Sequence, residues 1–235
     1  MDRLFPSLIT VLILVTIFGY LTLFSNEIRY LGKHLISGSL FIENIVYFTE
    51  NSYFENSNSK ILLNLWSLSL EVQFYILCPI ILKILNRNKF NQIILISISF
   101  LANIIISNFD SIHSYFLITA RLWEFLVGAT LAIYDYKLKV IFIEDRIKII
   151  ITALIIISFC CFEINSAHNY YGFIAILPVC ATIMLIVSAS SGKSMIIFNN
   201  TILEYLGKIS YPLYLCHWPF LIFYLNLDLA FYVLQ

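Results

Sequence analysis

Long apolar runs separated by short polar connectors fill this chain almost from end to end. The runs are Phe5 to Phe24, Leu62 to Leu85, Ile93 to Asn108, Tyr115 to Tyr134, Ile147 to Phe162, Tyr171 to Ala189 and Ile209 to Leu225. A helix needs about 17 to 25 predominantly apolar residues to cross the hydrocarbon core of a bilayer, and these segments have or approach that length. A further stretch, Leu35 to Phe48, is short and carries Ser37, Gly38, Ser39, Glu43 and Asn44. It reads equally as a crossing or as a re-entrant or interfacial helix. The pattern predicts an all-α fold, a polytopic transmembrane helical bundle of about 7–8 spans. No Gly/Ser-rich linker or fixed-period repeat divides residues 1–235, so one domain is expected. The first apolar run is long and lacks a small-residue cleavage site before Asn26, which favours a retained helix over a signal peptide.

Composition agrees with that pattern: 60% of the 235 residues are hydrophobic and only 12% charged, too little polar surface to solvate a globule of this size. Fourteen basic and fourteen acidic residues cancel, and no basic stripe points to nucleic acid. The placement of the basic residues is more informative than their sum. With the amino terminus in the cytoplasm and Leu35 to Phe48 not crossing, Arg3, Lys83, Arg87, Lys89, Lys137, Lys139, Arg146, Lys148, Lys193 and Lys208 fall inside and only Arg29, Lys33 and Lys60 outside. This is the bias of cytoplasmic loops and implies a multi-pass protein of the cell membrane, with the lipid bilayer as its first partner. Cys78, Cys160, Cys161, Cys180 and Cys216 lie in apolar segments without metal-ligand spacing, so they read as small apolar side chains and no metal is expected.

Three polar groupings stand out because a bilayer should not tolerate them. In Leu62 to Leu85, Ser67, Glu71 and Tyr75 recur at i, i+4, i+8 on one helical face, with Ser69 and Gln73 in a second stripe and Trp66 beside them. A carboxylate at the centre of a membrane helix costs on the order of 3 kcal/mol on insertion scales. The stripe must therefore face the bundle, where it serves either as interhelical hydrogen bonding or as a functional site. The second grouping is Arg121, Trp123, Glu124 and Gly128, in which Arg121 and Glu124 are i, i+3 neighbours, forming either a local ion pair or a substrate contact. The third is Gly207, Ser210, Tyr211, Tyr214, His217, Trp218 and Pro219, where Pro212 and Pro219 weaken the helical ladder and leave carbonyls for other partners. His217 reads more readily as a hydrogen-bonded histidine than as a base, and His34, His113 and His168 read as solvent-exposed connector residues.

The same three blocks, in this order, resemble the acyltransferase 3 family of integral membrane O-acyltransferases. WSLSLEVQFY from Trp66 to Tyr75 is similar to the family's WSLSxEEQFY, with Val72 where a second glutamate is usual. ARLWEFLVGA from Ala120 to Ala129 resembles RxWELxxGA, LGKISYPLYLCHWP from Leu206 to Pro219 resembles LGxxSYxLYLWHWP, and RLFPSL from Arg3 to Leu8 resembles the start of the family's third span. The resemblance implies transfer of an acyl group, commonly acetyl, from cytoplasmic acyl-coenzyme A to a hydroxyl of an extracytoplasmic glycan or lipid-linked saccharide. It implies a donor contact at Arg3 and acceptor contacts among Trp66, Ser69, Glu71, Gln73, Tyr75, Arg121, Trp123, Glu124, Tyr214 and His217.

One departure accompanies the match. The family's general base is a histidine in an RX10H pattern on its first span, and no arginine here is followed eleven positions later by histidine. The chain thus resembles family spans three to about ten, a partial domain without the first two spans, and no residue is assigned as catalytic. An amino-terminal segment or partner chain would then be missing, and the chain alone would be inactive or severely impaired. Two readings from other classes remain beside this one: a transporter or channel using buried Glu71 and Arg121, and a non-catalytic scaffold.

Overall fold

The computed structural model describes residues 4–50, 60–85, 89–109, 115–141, 146–163, 172–189 and 200–233, and among these every regular element is helical. The helices are α1 (Leu4–Thr22), α2 (Ser25–Ser39), α3 (Glu43–Glu50), α4 (Leu65–Leu85), α5 (Lys89–Phe109), α6 (Ile118–Ile141), α7 (Arg146–Glu163), α8 (Ile176–Ala189) and α9 (Thr201–Val233), with a 3-10 turn at Gly172–Ala175 leading into α8. Each long apolar run of the sequence lies largely within a helix. Among the described residues, Phe5–Thr22 and Phe90–Phe109 are long and apolar enough to cross a membrane; Leu65–Ile81, Ile147–Phe162 and Gly172–Ser188 are shorter apolar stretches.

The ambiguous stretch from Leu35 to Phe48 is not one helix. It is cut at Phe41, whose φ of 56° is left-handed and unusual for a residue with a side chain. The turn is held by Phe41 N–H donating to the Gly38 carbonyl and Ile42 N–H to the Ser37 carbonyl. At the other end of α2, the Glu27 carboxylate accepts the Phe24 N–H at 2.9 Å, satisfying a donor at the helix start. The result is a helical hairpin, α2 against α3, in which neither arm has the length or apolarity to cross a bilayer.

The chain forms two compact units, residues 1–73 with 205–235, and residues 74–204. The first unit is built on Leu8, Val11 and Val15 of α1, Leu31 of α2, Leu65 and Leu68 of α4, and Leu215 and Ile222 of α9, all buried together. The second gathers Phe74 and Ile81 of α4 with Leu126 of α6, supported by Leu95 and Ile96 of α5, and the Phe74 and Phe125 rings stack at 4.7 Å. In the same unit α7 packs on α8, each contributing a fully buried alanine, Ala153 and Ala181.

Beside its apolar core the first unit buries a group of polar side chains and leaves apolar ones outside. His34, Ser37, Glu43, Asn44, Lys60, Asn64 and Ser69 are buried, whereas Ile9, Ile13, Ile17 and Phe18 of α1 are about half exposed. An exposed apolar face on α1 with polar groups held inside suits a hydrocarbon solvent, since unpaired polar groups cannot face lipid.

Candidate functional site

α4 begins with its two polar stripes already committed to different neighbours. On one side, Ser69 Oγ accepts the backbone N–H of Glu43 at 3.2 Å and donates to the Leu65 carbonyl. Four residues on, Gln73 Nε2 donates to the Phe41 carbonyl at 3.0 Å and to Asn44 Oδ1 at 2.8 Å. The Ser69–Gln73 stripe therefore grips the α2–α3 hairpin at its strained corner. Gly38 permits this close packing, because a Cβ there would stand 2.7 Å from Leu65 Cδ1.

On the opposite side, Ser67 and Glu71 face α9. Ser67 Oγ lies 2.5 Å from the Tyr214 hydroxyl, and Tyr214 in turn donates to the Asn64 carbonyl at 2.9 Å. Glu71, one turn further along α4, interacts electrostatically with Tyr211, one turn back along antiparallel α9. A seam of serine, carboxylate and two phenols results, half open rather than sealed: Tyr214 is 37% exposed and Glu71 is partly buried.

The two prolines of α9 explain how that seam is fastened. Pro219 has no N–H to give the carbonyl of Leu215, which is instead reached by Asn64 Nδ2 at 3.3 Å; the same amide donates to the Tyr214 carbonyl at 2.8 Å. His217 Nδ1 also lies 2.7 Å from the Tyr214 carbonyl, a contact that requires a proton on Nδ1 of the exposed ring. Trp218 Nε1 donates to the Lys60 carbonyl at 2.8 Å, closing the entry to α4 against α9.

A third feature of the first unit was not anticipated from sequence. His34, expected in a solvent-exposed connector, is 2% exposed; its Nδ1 lies 2.5 Å from Oε1 of Glu43, which is 0% exposed. Ser37 donates to the other Glu43 oxygen. The imidazole is sandwiched between the rings of Tyr30 at 4.4 Å and Tyr47 at 4.7 Å, and its Nε2 has no hydrogen-bond partner among the described residues. At the rim of this cluster, Glu50 accepts from Lys33 and from the Tyr30 hydroxyl. Burial pushes the Glu50 carboxyl up, but those two hydrogen bonds and the nearby His34 and Lys33 hold it below the ordinary carboxylate range. The Tyr30 phenol is pushed well up, by burial first and then by its bond to Glu50.

In the second unit, the α6 grouping is arranged around aromatic rings. The Arg121 guanidinium sits over the Tyr115 ring, 4.9 Å from its centre, and acts electrostatically on Glu124. Trp123 is buried and meets Phe100 edge to face at 5.0 Å, with its indole N–H without a hydrogen-bond partner among the described residues. Tyr75 belongs to this unit and is 46% exposed. The sequence-derived site residues thus divide, with Trp66, Ser69, Glu71, Gln73, Tyr214 and His217 in the first unit and Tyr75, Arg121, Trp123 and Glu124 in the second. Trp66 is buried. Arg3, His113 and His168 lie outside the described residues.

Asn64, His34, Glu43 and Asn44 are the residues the site reading passed over, while Ser67 and Tyr211 stood in its polar groupings without an assigned contact. Glu43 carried the signal already used for Glu71, an ionisable group amid apolar neighbours. Its pairing with His34 nine residues earlier depends on a turn that no periodicity announces. Among the described residues, no group of His, Cys, Asp and Glu has the arrangement of a metal site.

The blocks that meet at the α4–α9 seam are two of the motifs noted in the sequence, and a family model described as an acyltransferase domain matches residues 1–234. The chain belongs to the acyltransferase 3 family. A Staphylococcus aureus (strain COL) protein named "Putative O-acetyltransferase SACOL0978" is 32% identical over 246 residues, covering 95% of this chain and 40% of that protein. The O-acetyltransferase OatA of S. aureus (strain NCTC 8325 / PS 47) is 28% identical over 243 residues, with the same coverage of 95% and 40%. An uncharacterized protein of Haemophilus influenzae is 29% identical over 209 residues, 81% of this chain and 84% of its own length. The chain therefore spans well under half of the staphylococcal family members it matches. No solved structure matches it.

Proposed function

We propose that this chain carries the acceptor-handling core of a membrane O-acyltransferase, which moves an acyl group, acetyl in the first instance, from cytoplasmic acyl-coenzyme A to a hydroxyl of an extracytoplasmic glycan or lipid-linked saccharide. It does so within a multi-pass bundle of about seven to eight spans in the cell membrane. The observation that carries the reading is the α4–α9 seam, where Ser67 and Glu71 oppose Tyr214 and Tyr211 in a partly open, partly apolar setting. Hydroxyls, phenols and a carboxylate on one seam are suited to a polyol, which both donates and accepts hydrogen bonds. The printed name of the staphylococcal relative, O-acetyltransferase, supports acetyl as the transferred group.

Acyl transfer to a sugar hydroxyl requires that the hydroxyl be held near the thioester carbonyl, that its proton be accepted, and that the oxyanion formed at that carbonyl be stabilised. In this scheme Glu71, Tyr214, His217, Ser69 and Gln73 belong to acceptor binding and its support. Trp66, Tyr75, Trp123, Arg121 and Glu124 supply further substrate contacts, and Arg3 pairs with coenzyme A phosphate at the cytoplasmic face. No residue of the chain is assigned the proton-accepting step.

The test is acyl transfer in membranes from cells expressing the gene in its native context, with labelled acetyl-coenzyme A on the cytoplasmic side and cell-envelope glycan as acceptor. Wild type should place alkali-labile label on the glycan. Glu71→Gln and Arg121→Ala should each lower it by at least about tenfold while membrane insertion is unchanged. Equal transfer by both variants would remove the site assignment. Absence of transfer combined with solute uptake independent of acyl-coenzyme A would replace the enzyme with a transporter.

A further inference from the structure

The buried His34–Glu43 pair touches neither Ser67 nor Glu71, yet it sits at the root of the hairpin that α4 grips. Glu43 is fully buried, and among the described residues its carboxylate has one basic group within salt-bridge distance, His34. At 2.5 Å one proton lies between Nδ1 and Oε1, since without it two lone pairs would face each other at hydrogen-bond distance. The groups facing the imidazole are Tyr30, Lys33 and Ser37 from α2 and Glu43, Tyr47 and Glu50 from α3. Lys60 stands over the Tyr47 ring, 5.4 Å from its centre. Glu50, 3.6 Å from Nε2, already takes Lys33 as its closer partner.

This cluster fixes where Glu43 and Asn44 stand, and those two residues bond Ser69 and Gln73 of α4. Successive helical residues are about 100° apart, so Glu71 is about 200° from Ser69, on the other side of the helix. Pinning the Ser69–Gln73 stripe to α3 therefore turns Ser67 and Glu71 toward α9. Without that anchor the rotation of the first turns of α4 rests on core packing and the contacts to α9 alone.

We propose that the His34–Glu43 pair is a positioning device: the Nδ1···Oε1 hydrogen bond locks the α2–α3 hairpin, which sets the rotation of the first turns of α4 and aims Glu71 into the seam. For its catalytic consequence the inference rests on the acyltransferase reading above; for its structural content it does not. Hydrogen exchange along α4, measured on the full chain in lipid nanodiscs at several pH values, separates the two. His34→Gln should raise exchange across residues 65–73 by at least about tenfold, because the buried Glu43 carboxyl loses the one basic group beside it among the described residues. The double variant His34→Gln/Glu43→Gln, a neutral amide pair of similar shape, should stay near wild type at every pH. That variant also carries the test if His34→Gln does not fold.

In the transfer assay, His34→Gln should lower kcat more than it raises the acceptor KM, with recovery in the double variant. An unchanged exchange rate at 65–73 in His34→Gln, or an equal increase in the double variant, would overturn the positioning role. A wild type that transfers no acyl group would remove the enzymatic reading and leave the exchange result standing.

Discussion

Replacing Asn64 with alanine removes one amide that serves two carbonyls of α9, and the cost can be worked from what each carbonyl keeps. The Tyr214 carbonyl retains the His217 Nδ1 contact, so its loss is one hydrogen bond, about 0.5–1.5 kcal/mol. The Leu215 carbonyl is worse placed. Its residue is fully buried, its in-helix donor would be the N–H that Pro219 lacks, and an orphaned buried carbonyl costs about 1–3 kcal/mol. The 3.3 Å contact is long, which argues for the lower half of that range, so Asn64→Ala should destabilise the protein by about 2 kcal/mol. Pro219→Ala restores the missing N–H. It should recover about 1 kcal/mol more in the Asn64→Ala background than in wild type, where Leu215 already has its donor. Equilibrium unfolding in mixed detergent micelles, followed by far-ultraviolet circular dichroism for the four members of the cycle, gives that coupling. A coupling within about 0.5 kcal/mol of zero would refute the proline-freed carbonyl as the reason Asn64 is there.

Other outcomes follow from single contacts. Glu50 has a carboxyl held below its ordinary value of 4.5, so its contribution is present above that pH and is lost as pH falls through the lowered folded value; Glu50→Gln should lower the neutral plateau of thermal stability and flatten its acid limb, the two proteins converging in acid. Gly172 has φ +83°, and Gly172→Ala should cost about 1–2 kcal/mol by calorimetry although the added Cβ has room 3.5 Å from Ser107 Oγ. Trp218→Phe keeps the apolar ring but strips the donor from the Lys60 carbonyl, and a loss of about 1 kcal/mol in the same micelle assay is expected; no change would mean that the carbonyl finds another donor.

Helical class and the positions of the long elements follow from the chain's own pattern, because hydrocarbon requires each backbone donor and acceptor to be satisfied within a segment, and apolar length then marks the segment. The polar stripes on α4 were likewise visible, since a 3.6-residue repeat fixes which side chains share a face. Which neighbour each stripe would meet was not. Ser69 and Gln73 hold the α2–α3 hairpin while Ser67 and Glu71 turn to α9, a division set by packing between segments distant in sequence. His34 shows the limit most clearly. Its polar surroundings read as solvent, and only the left-handed turn at Phe41 folds Glu43 back upon it, so that a connector residue becomes the most deeply buried base among the described histidines. Local periodicity encodes faces, whereas the partner of each face is chosen by contacts whose sequence separation carries no period.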